Sequence, residues 1–215
     1  MKNFLVKFST IILLLLVIRP VSANVSLVVL GDSLSAGYGM SKSVSWVGIL
    51  ERRWQDTQPD VELVNASISG ETTQGALRRL PGVIERHQPQ AVFVELGGND
   101  GLRGFSLATV RDNLNQIIDQ LQQRDIVVGL SQIQIPPNYG KRFTEMFAAM
   151  YPELAEENNI RLVPFFMEQI AVDADLMQND GIHPNEQAQE TIANIMEPLL
   201  LELVAQARKE KSEAS

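Results

Sequence analysis

Cysteine is absent from this chain, and histidine occurs only twice, as His87 and His183. Without cysteine there can be no disulfide, no thiolate metal site, no thiol nucleophile and no lipid-bearing N-terminal cysteine. With two imidazoles, any chemistry that needs one must use His87 or His183. Basic residues are also few: 18 Lys and Arg stand against 26 Asp and Glu, a net charge of −8. Nucleic-acid binding needs a basic surface that displaces counterions, so no nucleic-acid partner is expected. What is present is ordinary for a globular protein. Hydrophobic residues make up 45% and charged residues 20% of 215 positions, which excludes a fibrous or disordered chain. At about 150 residues per domain, the length allows one domain with at most a small appendage.

The first 23 residues differ from the rest. Lys2 and Lys7 precede an unbroken apolar run over 11–18, followed by Arg19, Pro20 and the small-residue triplet Val21-Ser22-Ala23. A basic start, a short apolar stretch and a small-residue end describe a secretory signal peptide. The run is too short for a transmembrane helix, which needs about 20 apolar residues. Cleavage after Ala23 is expected, with an uncleaved N-terminal anchor as the competing reading. Cleavage leaves 15 basic against 26 acidic residues, a net charge of −11. The expected destination is a bacterial periplasm, with no stable membrane anchor.

Beyond residue 23, β-branched apolar runs alternate with longer amphipathic stretches. Strands are expected over 25–30, 61–65, 91–96 and 126–133, with a weaker fifth over 160–163. Helices are expected over 46–55, 75–87, 107–123 and 143–158, and a last one from about 185 toward 207. This alternation implies βαβ units and a parallel sheet covered on both faces. The chain thus divides into a signal peptide (1–23), one α/β domain (24–205) and a loose, solvated tail (206–215). In such a sheet ligands sit outside the carboxyl ends of the strands. The segments following those ends, 31–35, 66–73 and 97–100, are small, polar and glycine-rich.

A hydroxyl becomes a nucleophile when a base removes its proton and a third group orients that base. His183 lies in Asp180-Gly181-Ile182-His183-Pro184. Gly181 permits a tight turn, and Pro184 suits the first position of the following helix. The loop can bring the Asp180 carboxylate to one ring nitrogen and leave the other facing a hydroxyl. It reads equally as a surface loop whose Asp caps the last helix. His87, just before Gln88-Pro89, reads as a solvated helix-end cation. Ser33 follows a buried strand and a Gly-Asp turn, and a helix starting beyond it would aim amide hydrogens at developing negative charge. Asp32 is placed to hold loop backbone. Acyl transfer also needs donors for a tetrahedral oxyanion. The Ser33 N–H, the Gly70 N–H and the Asn99 side-chain amide are candidates, although Gly70 alone reads as a turn and Asn99 as a loop brace.

Taken together, Gly31-Asp32-Ser33-Leu34, Ser69-Gly70-Glu71-Thr72, Gly98-Asn99-Asp100 and Asp180-x-x-His183 resemble the SGNH, or GDSL, hydrolase superfamily. Longer stretches, 30–38, 65–70, 95–104, 137–140, 164–167 and 180–185, are similar to its bacterial thioesterase branch. The resemblance implies a flavodoxin-like three-layer α/β/α sandwich with a five-stranded parallel sheet. It implies a triad of Ser33, Asp180 and His183, and an oxyanion hole from Ser33, Gly70 and Asn99. It also implies hydrolysis of acyl thioesters, aryl and short-chain esters and lysophospholipids, without a cofactor. No metal is expected, since only one imidazole is plausibly placed, and a monomer is expected because nothing in the sequence suggests an obligate partner.

An acyl chain needs an apolar trough. Leu102, Phe105, Ile135, Pro136, Phe143 and Met146 flank the reacting loops and are candidates for it, with core packing as the alternative for each. Gly101 and Gly104 bracket Leu102-Arg103, which makes that loop a possible lid; Arg103 is a candidate for meeting a phosphate or CoA group, although it reads more readily as an exposed surface cation. Three rival functions stand beside this one: a carbohydrate O-acetylesterase on the same triad, a metallophosphoesterase, and a non-catalytic periplasmic binding module.

Overall fold

The computed structural model describes residues 24–213; the expected signal peptide lies outside the described residues. Five strands, β1 (Val25–Gly31), β2 (Val61–Asn65), β3 (Ala91–Glu95), β4 (Val127–Ser131) and β5 (Arg161–Val163), form one sheet in the order β2-β1-β3-β4-β5. Every pairing is parallel. β1, β3 and β4 are buried along their whole lengths, whereas the edge strands β2 and β5 are partly exposed. A strand covered on both faces must be apolar on both, which is why the central strands read as continuous runs rather than as alternation.

The helices are α1 (Ser33–Ala36), α2 (Trp46–Thr57), α3 (Thr73–His87), α4 (Gly98–Leu102), α5 (Leu107–Gln122), α6 (Lys141–Glu157) and α7 (Gln189–Glu213). Because side chains alternate along a strand, β1 feeds two cores. Val25, Leu27 and Val29 pack with Trp46, Leu50 and Trp54 of α2 and Ile192, Met196 and Leu200 of α7. Val28 and Leu30 face Leu80 of α3, Leu114 and Ile117 of α5, and Phe147 and Leu154 of α6. The result is three layers, helix over sheet over helix. Gly129 of β4 lets α7 come close, since a Cβ there would lie 2.6 Å from Leu203.

The structure departs from the sequence reading mainly at the C-terminus. The expected loose tail from 206 onward instead continues α7 as far as Glu213. Ala207 is buried in the α2–α7 core, and Arg208 donates to the Asp60 carboxylate at 2.7 Å, so the helix still has partners there. The strand expected over 126–133 ends at Ser131, and the last helix is preceded by a 3-10 turn, Glu186–Ala188. The order 2-1-3-4-5 reverses direction between β1 and β3, and the rule for such sheets places a ligand at that switch point.

Candidate active site

Ser33 stands at the carboxyl end of β1, on the first residue of α1, and is nearly buried. The preceding Asp32 caps this short helix: its Oδ1 accepts from the Leu34 N–H at 3.0 Å. Ser33 Oγ lies 2.9 Å from His183 Nε2, and His183 Nδ1 lies 2.6 Å from Asp180 Oδ2. The other Asp180 oxygen accepts from the backbone N–H groups of Ile182 (2.9 Å) and His183 (3.0 Å). Gly181 makes this tight turn possible, with φ +66°. One carboxylate oxygen thus organises the loop and the other orients the ring.

Burial works to raise the Asp180 pKa. The His183 N–H, the His183 ring and the Ile182 N–H outweigh it and hold Asp180 at about 2. An ionised Asp180 accepts a hydrogen bond from Nδ1–H, which fixes that tautomer and leaves Nε2 as an acceptor facing the Ser33 hydroxyl. The loop is anchored from behind: Gln178 Nε2 donates to the carbonyls of Tyr38 (2.8 Å) and Pro184 (3.0 Å), and Gln178 N–H donates to the His183 carbonyl. The Tyr38 ring lies against the His183 imidazole with centroids 4.3 Å apart.

Asn99 lies on α4, directly after β3, and its side-chain amide donates to Asp32 Oδ2 at 2.9 Å. Gly70 follows β2 with φ +79°, and its carbonyl accepts from Arg103 Nη2 at 3.2 Å. Among the described residues, neither the Ser33 nor the Gly70 N–H donates to a protein acceptor. Asp100 ties these loops together, accepting from the Thr73 N–H (3.0 Å) and hydroxyl (2.6 Å) at the start of α3. Burial raises the Asp32 pKa to about 6, against the opposing pull of the Leu34 N–H, His183 and the Asn99 amide.

A cavity of about 550 Å³ opens beside Ser33, Asn99 and His183. Leu102, Ile135 and Pro136 line it, whereas Arg103, Phe105, Phe143 and Met146 do not. Phe143 turns toward Phe147, with ring centroids 6.1 Å apart, and belongs to the core under α5 and α6. Phe105 and Met146 are exposed, and the Arg103 guanidinium is engaged by the Gly70 carbonyl. Much of the remaining apolar wall comes from Phe165, Met167, Met177 and Ile182, none of which the sequence reading named for this role. The signal was available, since residues 164–167 follow the end of β5 and Ile182 adjoins His183. His87 closes α3 and is not among the residues lining this cavity. Among the described residues, no three His, Asp or Glu side chains cluster in a way that could hold a metal ion.

Residues 29–191 match the GDSL-like lipase/acylhydrolase family. The chain is 48% identical over 192 residues to thioesterase 1/protease 1/lysophospholipase L1 of Escherichia coli, covering 89% of this chain and 90% of that protein. It is 44% identical over 174 residues to an arylesterase of Vibrio mimicus, covering 81% of this chain and 87% of the relative. Among solved structures it is similar to the psychrotrophic esterase EstA from Pseudoalteromonas sp., in a form inhibited by monoethylphosphonate. The TM-score is 0.81 at 42% identity, over 84% of this chain and 98% of that one.

Proposed function

Because the chain belongs to the GDSL-like lipase/acylhydrolase family, we propose that it is a serine hydrolase of acyl thioesters, aryl and short-chain carboxylic esters and lysophospholipids, acting through an acyl-enzyme on Ser33. The observation that carries this reading is the relay from Ser33 through His183 to Asp180, with separations of 2.9 and 2.6 Å. A relay with the base held in one tautomer between a hydroxyl and an ionised carboxylate serves to activate the hydroxyl.

In the reaction, His183 Nε2 takes the Ser33 proton as Oγ attacks the acyl carbonyl carbon. The carbonyl oxygen becomes an oxyanion, received by the N–H groups of Ser33 and Gly70 and by the second N–H of the Asn99 amide. Each such donor is worth about 3 kcal/mol at the transition state. His183 then protonates the departing thiol or alcohol, and the acyl group remains on Ser33. Water enters, gives its proton to Nε2 and attacks the ester carbon, which releases the carboxylic acid and restores the hydroxyl. The apolar walls of the cavity receive the acyl chain, and these walls favour long acyl groups over the acetylated sugars of the O-acetylesterase reading.

Residues 1–23 act in this proposal as an export signal, which places the mature enzyme in the periplasm. No helix among the described residues is long and apolar enough to cross a membrane. The test is a rate panel on the mature protein with thioesters, p-nitrophenyl esters of graded length, lysophospholipids and acetylated sugars, with Ser33→Ala alongside. The expected result is turnover of the first three classes, abolished in the variant. Unchanged turnover by Ser33→Ala, or a failure of organophosphorus reagents to label Ser33, overturns the proposal.

A further inference from the structure

Glu95 is the last residue of β3 and is completely buried. It pairs in register with Gly31, and its carboxyl fills the space that a side chain at position 31 would need: a Cβ on Gly31 would lie 2.7 Å from Glu95 Oε2. That oxygen accepts from the Ser35 hydroxyl at 2.8 Å and from the Asp32 N–H at 3.3 Å. These two contacts hold the chain one residue before and two residues after Ser33. The second oxygen, Oε1, is buried without a hydrogen-bond partner among the described residues.

An ionised carboxylate in this position would be costly. It would leave a charged oxygen unsolvated and would stand beside a second carboxyl, that of Asp32. The groups facing it are Asp32 from the β1–α1 turn and Ser35 from α1, and from α6 the Tyr151 phenol, whose own pKa burial raises, with Asp100 and Glu95 adding to the rise. None of them is a cation. Burial and the nearby Asp32 push the Glu95 pKa well above the usual carboxylate range. A neutral acid keeps the same geometry at lower cost, because its carbonyl oxygen accepts both hydrogen bonds and an unpartnered hydroxyl at Oε1 costs less than an unpartnered charge.

We propose that Glu95 is a positioning residue for the Ser33 nucleophile, serving as an uncharged carboxylic acid that fixes the turn bearing Ser33 and keeps a second negative charge away from the oxyanion cradle. The inference rests on the Ser33 acyl-enzyme reading above. Glutamine supplies an acceptor oxygen of the same shape without charge, whereas alanine removes the anchor and leaves the Asp32 N–H and Ser35 hydroxyl unmet.

The test compares wild type, Glu95→Gln and Glu95→Ala for kcat and KM on a p-nitrophenyl ester, and for the rate of organophosphorus labelling. Infrared difference spectra between wild type and Glu95→Gln at neutral pH complete it. Glu95→Gln is expected to keep kcat within about threefold, while Glu95→Ala loses about tenfold or more in kcat and in labelling rate at nearly constant KM, as a slightly misplaced nucleophile does. The spectra are expected to show a protonated-carboxyl band that the glutamine variant lacks. Loss of kcat in Glu95→Gln as deep as in Glu95→Ala overturns the proposal, as does the absence of that band. If the alanine variant does not fold, Glu95→Gln and the spectra decide alone. A failure of the Ser33 reading appears separately, as turnover that survives Ser33→Ala, and leaves the spectroscopic result standing.

Discussion

The side-chain amide of Asn99 donates to the carboxylate of Asp32 across 2.9 Å, joining the turn after β1 to the helix after β3 at the point where the sheet order reverses. One N–H of the amide is spent on this contact, which sets the direction of the other. Asp32 divides its two oxygens between the Leu34 N–H and Asn99, so it orients both the helix that bears Ser33 and the proposed oxyanion donor.

Replacing Asn99 with alanine removes a donor without opening the core. The expected result is a fall in kcat of about a hundredfold or more at nearly constant KM, in a protein that still folds but melts somewhat earlier because Asp32 Oδ2 loses its partner. Steady-state kinetics beside a melting curve check this, and near-normal turnover would reject the oxyanion role.

Asp32→Asn is expected to lower kcat by about tenfold or more, because an amide has one acceptor oxygen and cannot serve both Leu34 and Asn99. Its stability follows the opposite course with pH. The Asp32 pKa rises from 3.8 to about 6 on folding, so the stability it contributes is complete below about pH 4 and is lost as the pH climbs through 6. The asparagine variant does not titrate. Its stability relative to wild type should therefore improve by up to about 3 kcal/mol between about pH 4 and pH 7. Urea unfolding at the two pH values measures that shift; an unchanged difference would mean that Asp32 titrates alike in both states.

Asp180→Asn should lower kcat by about a thousandfold or more while leaving KM near its wild-type value, since an amide no longer holds the Nδ1 hydrogen and the ring can turn its protonated nitrogen toward Ser33. Because the wild-type Asp180 pKa is depressed to about 2, the stability it contributes is present above about pH 4 and is lost only as the pH falls through 2. Loss of activity in mild acid must then come from another group. A wild-type rate profile with its acid limb near pH 2 would contradict this.

Ala171 is exposed at the cavity wall beside Met167 and Met177. Ala171→Trp is expected to shorten the trough, lowering kcat/KM for long-chain p-nitrophenyl esters by about tenfold and sparing the acetyl ester. A uniform loss across chain lengths would place the acyl chain on a different wall.

Much of the architecture was written locally. The β-branched runs of β1, β3 and β4 are apolar on both faces because helices cover both, and that requirement is visible without coordinates. Ser33, Asn99 and the loop from Asp180 to His183 were likewise legible, since each lies beyond a strand end or on a short turn whose residue types suit its chemistry. The fold decided what depends on distant neighbours. Hydrophobicity carries no direction, so nothing local told Phe143, which joins the core, from Phe165, which lines the cavity. Nothing in the sequence singled out Glu95, and only the register of β3 against β1 puts its carboxyl under the Ser33 turn. The last turns of α7 were read as loose because their own composition is polar, whereas Ala207 meets the core and Arg208 meets Asp60 from far along the chain. The amino-acid order thus determined which groups are available and where each element begins. The packing of parallel strands determined which of them meet, because contact between residues 33 and 183 is a property of the assembled fold and not of either segment.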